Sequence, residues 1–300
     1  MNTKGRDLLN LSSHDNYQEI LIKSAGTDIA LSVYSTGKEN TSVVFLPGTM
    51  THPLFYDEFL SIIANNGFNV VGVHFVSHGK SPRQKRKYTF EDLLQNAQDA
   101  VTFCTEYFGQ NIIVMGSSQG GILSMALAAK DHRIKAVFAH NILLPSLRES
   151  ISVTKFASFF KPFYNTIPPL MNFGAYIFPS IQIPITAYLK FDRITRSKSI
   201  KDRFYHDPLG LTAYPLQFLA SLFSADMSGM TSGGINCPVV VIASTGDPLF
   251  KYDYCTQVFN LIVAPKKELM VFDLQFHLIF NECIDDVTLP IVNKLKEYSE

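Results

Sequence analysis

The stretch Asn111–Lys130, NIIVMGSSQGGILSMALAAK, decides how this chain is read. An apolar run stops at two adjacent serines among glycines, and an apolar helical pattern follows. That is the layout of a strand, a tight turn and a helix. In the form Gly-x-Ser-x-Gly, such a turn lifts the serine clear of the backbone while the flanking glycines make room for it. Gly116-Ser117-Ser118-Gln119-Gly120 fits with Ser118 at the centre. Framing the motif on Ser117 would put Met115 and Gln119 where glycines belong. A dinucleotide fingerprint needs a further glycine where Ser118 stands, and the Gly-Lys-Ser/Thr of a phosphate loop is absent from this stretch.

A serine hydroxyl is a poor nucleophile at neutral pH unless a base is held beside it and donors await the developing oxyanion. On a strand–turn–helix elbow the partners follow in the order acid, then histidine, each just past a strand end. Asp247 follows the apolar run PVVVIASTG, and His277 follows ELMVFDLQF. Asp247 also stands in TGDPLF, a good turn sequence in its own right. Asp273 competes for the acid role, but it falls within the last apolar run and reads as structural. His277 has apolar neighbours, as a core histidine would, yet of the eight histidines it alone follows the final strand. His140 and His206 read as structural or substrate-facing, and His78 in SHGKS as a turn residue. For the oxyanion, the N–H of Gln119 supplies one donor. In FLPGTM the N–H of Thr49 is the choice for the second, with Met50 as the fallback.

Outward from this site, YQEILIKS and IALSVYST read as an antiparallel hairpin. SVVFLP, NVVGVHF, NIIVMGS, KAVFAH, PVVVIAS and ELMVFDL mostly lack alternation, as strands buried on both faces should. Helical patterns separate several of them, including TFEDLLQNAQDAVTFCTEYF with Thr89 placed to cap. Strands alternating with helices imply an α/β fold, a mostly parallel sheet with helices on both faces. The alternation breaks after AVFAHN and resumes at CPVVVIAS. The interval holds eight of the 15 prolines and many aromatic residues, a composition unlike a disordered linker. Residues 1–141 and 236–300 are therefore expected to form the core, and 142–235 an inserted helical cap over the C-terminal ends of the strands. Phe156, Phe159, Phe160, Phe163, Leu170, Phe173 and Phe178 are expected in part to line an acyl pocket; the alternative is that they seal the cap onto the sheet.

Apolar residues make up 46% of the 300, and 26 basic side chains balance 26 acidic ones, so no broad field points to nucleic acid. Arg83, Lys85, Arg86 and Lys87 read as a solvated loop. The four cysteines lie far apart, without metal-site spacing, and read as reduced thiols. The N-terminal stretch lacks a leader's apolar run, and IFPSIQIPITAYL is short and broken by proline. A soluble cytoplasmic protein without stable membrane insertion is expected.

From about Thr41 to the C-terminus the chain resembles α/β-hydrolases of the monoacylglycerol lipase and serine aminopeptidase group. LPGTM is similar to the family's oxyanion turn, with Pro47 where histidine is common. SHGKS resembles its Gly-His-Gly-x-Ser turn, with Ser77 for the first glycine. GSSQGG resembles the nucleophile motif, with Ser117 and Gln119 for the frequent His and Met. HDPLG is similar to a motif near the end of the family's cap. The resemblance implies hydrolysis of carboxylic esters or related acyl compounds, a small-molecule acyl substrate, and neither metal nor organic cofactor. A thioesterase, a proline-releasing aminopeptidase and a non-catalytic binding homologue remain as alternatives. The aminopeptidase needs acidic groups to hold a free amine, and the insertion is richer in basic ones.

Overall fold

The computed structural model describes residues 16–37, 39–84, 87–156 and 158–299, apart from the side chains of 158 and 159. Lys85, Arg86 and most of the N-terminal stretch read above for a leader lie outside these residues. In chain order the core begins with strands β1 (Tyr17–Ser24), β2 (Thr27–Tyr34) and β3 (Ser42–Leu46), followed by helix α1 (Asp57–Asn65) and strand β4 (Asn69–His74). Helix α2 (Phe90–Tyr107), β5 (Ile112–Ser117), α3 (Gln119–Ala128) and β6 (Ile134–His140) complete its first part.

The chain then leaves the sheet. Two 3-10 segments, Arg148–Val153 and Ser158–Thr166, lead to α4 (Ile167–Ile177). There follow β7 (Gln182–Pro184), α5 (Ile185–Tyr188), α6 (Phe191–Ile194), α7 (Lys198–His206), β8 (Ala213–Pro215), α8 (Leu216–Phe223) and α9 (Ser228–Thr231). The sheet resumes with β9 (Val239–Ser244), α10 (Tyr252–Leu261) and β10 (Lys267–Phe272), and the chain ends in α11 (Ile279–Glu282) and α12 (Ile284–Glu297).

The eight-stranded sheet has the order β1-β2-β4-β3-β5-β6-β9-β10. The β1–β2 and β2–β4 pairs are antiparallel and every other pair is parallel. Strands β3, β4, β5 and β9 are buried at every residue, which is why their sequences do not alternate. The edge strands β1 and β10 are instead half exposed. Thr89 and Asp92 close a capping box at the start of α2. Every residue of α3 is buried, so the helix after the Ser118 turn is enclosed on all sides.

Between β6 and β9, β7 and β8 form a small antiparallel pair. This insertion is tied to the core by polar contacts at separate points. Met50 N donates to the Tyr214 hydroxyl at 2.9 Å, His52 Nε2 donates to Asp207 Oδ2 at 2.7 Å, and Phe90 N donates to Ser221 Oγ at 2.8 Å. His78 sits in a turn as read, but it is also buried, and its ring joins the Tyr214 hydroxyl at 3.1 Å.

The insertion's aromatics depart from expectation. Phe156 and Phe160 are exposed, as are Phe163, Leu170, Phe173 and Phe178. The side chain of Phe159 lies outside the described residues. In α4 only Ala175 is fully buried, Met171 packs partly against the core and Gly174 faces Leu216 of α8, while Leu170, Phe173, Tyr176 and Ile177 turn outward.

Candidate active site

β5 delivers the chain to α3 through Ser118, whose backbone has φ +54° and ψ −111°. Such a conformation costs a non-glycine residue on the order of 1–3 kcal/mol and persists only where its surroundings enforce it. Here they do. A Cβ on Gly116 would lie 1.9 Å from Gly120 O, and one on Gly120 would lie 1.8 Å from Leu46 O, so neither glycine tolerates a side chain. Ser118 N donates to His140 O at 2.8 Å and pins the turn to the end of β6. Ser117 is buried at the strand's last position, with its hydroxyl 3.3 Å from His140 Nδ1.

The loop after β3 carries Thr49 beside this elbow, and Thr49 Oγ1 donates to Gln119 Oε1 at 3.1 Å. Met50 N is taken by the Tyr214 hydroxyl. Among the described residues, no hydrogen bond engages the backbone N–H of Thr49 or of Gln119. Of the two alternatives for a second donor, the geometry therefore leaves Thr49 available and Met50 occupied.

Asp247 lies just past β9 and His277 just past β10; both are buried, and His277 Nδ1 lies 2.9 Å from Asp247 Oδ2. The other carboxylate oxygen, Oδ1, accepts from Leu249 N at 2.7 Å and Phe250 N at 2.9 Å. The turn role and the histidine-partner role of Asp247 thus coexist, one on each oxygen. Burial pushes its carboxyl upward, but the neighbouring His277 charge, the hydrogen bond from it and that from Phe250 N outweigh this, and the group sits below its ordinary value. The Phe250 ring stacks on His277, with centroids 5.6 Å apart and planes 11° from parallel. Among the described residues no hydrogen bond joins Ser118 Oγ to His277; in unliganded sites that bond is often long.

Asp273 is exposed and accepts from Thr245 Oγ1 at 2.6 Å. His206 is exposed and donates to Asp202 O. His140 is buried beside the site, its ring 5.8 Å from that of His277. Burial pushes it down to about 3, and the nearby His277 adds to the effect. Sequence reasoning missed Asn141, whose Nδ2 donates to Asp247 Oδ2 at 2.8 Å. Its one visible signal is its place directly after a core strand.

Ser118, Thr49 and Gln119 open on a cavity of about 50 Å3, otherwise lined by Ile122, Leu143, Val153, Tyr188, Leu189, Leu222, Phe223, Leu249 and Phe250. The lining is apolar apart from the serine, threonine, glutamine and tyrosine, and contains no carboxylate. Among the described residues, no group of three or more His, Cys, Asp or Glu side chains is placed to hold a metal ion, and no helix is long and apolar enough to cross a membrane.

Over 121 residues, 39% of this chain, the sequence is 30% identical to a protein of Mycobacterium phage D29 named as a non-heme haloperoxidase. That match spans 41% of the relative's length. Among solved structures, a monoacylglycerol lipase of Paleococcus ferrophilus superposes with a TM-score of 0.74 at 21% identity, covering 90% of this chain and 99% of that one. A soluble variant of monoglyceride lipase from Saccharomyces cerevisiae, in complex with a substrate analogue, gives 0.74 at 13% identity, with 96% and 97% covered. At these identities the two likenesses establish the shared fold. Residues 37–284 match the family described as Serine aminopeptidase, S33, and the chain accordingly belongs to it, with the α/β-hydrolase fold.

Proposed function

We propose that this hydrolase is a serine esterase acting through an acyl-enzyme. The observation that carries the reading is the shared cavity. Ser118, raised on its strained turn, opens on the same space as Thr49 and Gln119, whose amide N–H groups are unengaged among the described residues. Ser118 Oγ attacks the acyl carbonyl carbon as its proton passes to His277 Nε2, and the charge on the carbonyl oxygen is met by the Thr49 and Gln119 amides. Asp247 holds His277 with its proton on Nδ1 and stabilises the imidazolium; its four hydrogen-bond donors keep it ionised throughout. Collapse of the tetrahedral adduct expels the alcohol, which takes the proton from His277. Water then repeats the sequence in reverse, releasing the carboxylic acid and restoring Ser118.

An ester, and not a free-amine substrate, suits the lining. A protonated amine brought into this cavity would meet no carboxylate, and an unpaired charge in apolar surroundings costs several kcal/mol or more. The insertion, residues 142–235, acts as a lid in this account. A cavity of about 50 Å3 holds a few waters, so an ester larger than the smallest enters only when the segments bearing Val153, Leu189 and Leu222 move outward.

A panel of p-nitrophenyl esters, acyl thioesters and aminoacyl p-nitroanilides tests the assignment. Ester turnover that disappears in Ser118→Ala is expected. Preferential cleavage of aminoacyl anilides would transfer the reading to an aminopeptidase.

A further inference from the structure

Asn141 follows β6 with a left-handed backbone, φ +61°, and its side chain is buried. Its Nδ2 lies 2.8 Å from Asp247 Oδ2, 2.8 Å from His140 Nε2 and 3.3 Å from His277 Nδ1. Its Oδ1 accepts from Cys255 Sγ at 3.5 Å. The protons can be placed by elimination. An ionised carboxylate only accepts, so one Nδ2 hydrogen goes to Asp247 Oδ2. The second goes to His140 Nε2, which is thereby a lone pair, leaving the neutral ring's proton on Nδ1 toward Ser117 Oγ. Exchanging the amide's oxygen and nitrogen would set a carbonyl oxygen against both the carboxylate and that lone pair, so the network dictates the orientation. The approach to His277 Nδ1 is then a contact between two donors that share one acceptor, Asp247 Oδ2.

We infer that Asn141 is a positioning residue for the Asp247–His277 pair, an inference that rests on the proposed role of that pair as the base assembly. Leu249 N and Phe250 N fix one carboxylate oxygen, and Asn141 fixes the other, so the plane of Asp247 is set before His277 is considered. Sharing Oδ2 also limits how strongly the carboxylate holds the imidazolium. The amide's positive end faces His277 Nδ1 across 3.3 Å. Burial keeps His140 neutral in its place 5.8 Å from His277, so no second imidazolium competes with the one formed in the reaction. The other titratable groups facing the pair are His140 after β6, Cys255 on α10 and Glu282 on α11; all remain in an Asn141 variant.

Two substitutions test this in the full-length protein with p-nitrophenyl butyrate. Asn141→Gly removes the amide at a position where glycine carries no φ strain, and Asn141→Asp keeps the shape but adds a carboxyl that must share a proton with Asp247. Losing a charge-assisted hydrogen bond should lower kcat by about tenfold to a hundredfold with KM little changed. The acid limb of kcat/KM should move to higher pH in both variants. If folded, cooperatively melting variants keep the wild-type acid limb, Asn141 only fills space and the inference is overturned. Asp247→Asn, measured alongside, separates this from failure of the underlying assignment: near-normal turnover there removes the base assembly itself, whereas a collapse there with an unmoved limb in the Asn141 variants condemns the positioning role alone.

Discussion

The backbone N–H of Met50 donates to the Tyr214 hydroxyl at 2.9 Å, across 164 residues of chain, and joins the loop beside Ser118 to the insertion above it. His78 Nδ1 donates to Val76 O, so its Nε2 is the lone pair that accepts the Tyr214 proton. Tyr214→Phe should strand both partners in a buried site. A loss of about 1–3 kcal/mol in stability is expected. Because Thr49 precedes Met50, kcat should also fall, by about tenfold, with KM changed less. Urea unfolding and steady-state kinetics check both, and an unchanged kcat would detach the tyrosine from the site.

The acid role is tested by Asp247→Asn, which keeps the shape of the side chain but allows the wrong tautomer of His277. A decrease in kcat of about 10⁴-fold is expected, by analogy with triads of the same geometry. Asp273→Asn removes only the charge of an exposed acceptor for Thr245 Oγ1 and should alter kcat by less than about twofold. Reversal of the two results would move the acid role to Asp273.

Stability should decline on mild acidification. Burial pushes His140 down to about 3 and His78 to about 4, whereas an unfolded histidine protonates near pH 6.5. Between those values the unfolded chain binds more protons, so stability rises with pH there and is fully present only above about 6.5. Each ring should cost the folded state roughly 2 kcal/mol by pH 5. Urea midpoints compared at pH 7 and pH 5 should show the fall, and His78→Gln should reduce it. Equal pH dependence in His78→Gln and the wild type would contradict the assignment.

Acyl selectivity should follow the residues that line the cavity and not the exposed aromatics of the insertion. Each buried methylene contributes about 0.8 kcal/mol, so kcat/KM should rise by up to roughly fourfold per carbon until the space is full. Across p-nitrophenyl esters from acetate to dodecanoate, a maximum at intermediate length is expected. Leu222→Ala should shift it to longer chains, while Phe173→Ala should leave it in place. A monotonic fall from acetate would leave only a small acyl site.

Much of this architecture is legible in the sequence because its strands are buried on both faces and carry unbroken apolar runs. Ser118 and Asp247 each stand just past such a run, and His277 follows the apolar but half-exposed edge strand β10, so position and chemistry coincide. Asn141 stands just past one as well, but a lone amide carries no motif, and its meaning appears only when β6 and β9 are side by side. The His52–Asp207 and Met50–Tyr214 contacts join residues more than 150 apart, which no local pattern encodes. The outward turn of Phe173 and Phe178 is hidden for another reason. The insertion consists of short elements, and an apolar count without a sustained period does not say which side faces water.

The central claim is that Ser118 is an activated nucleophile. Reaction of the intact protein with a fluorophosphonate, followed by peptide mass spectrometry, tests it most directly. The account predicts one adduct per chain, on Ser118, absent from Ser118→Ala and retained in Ser117→Ala. An adduct on Ser117, or a folded wild-type protein that does not react at all, would contradict it.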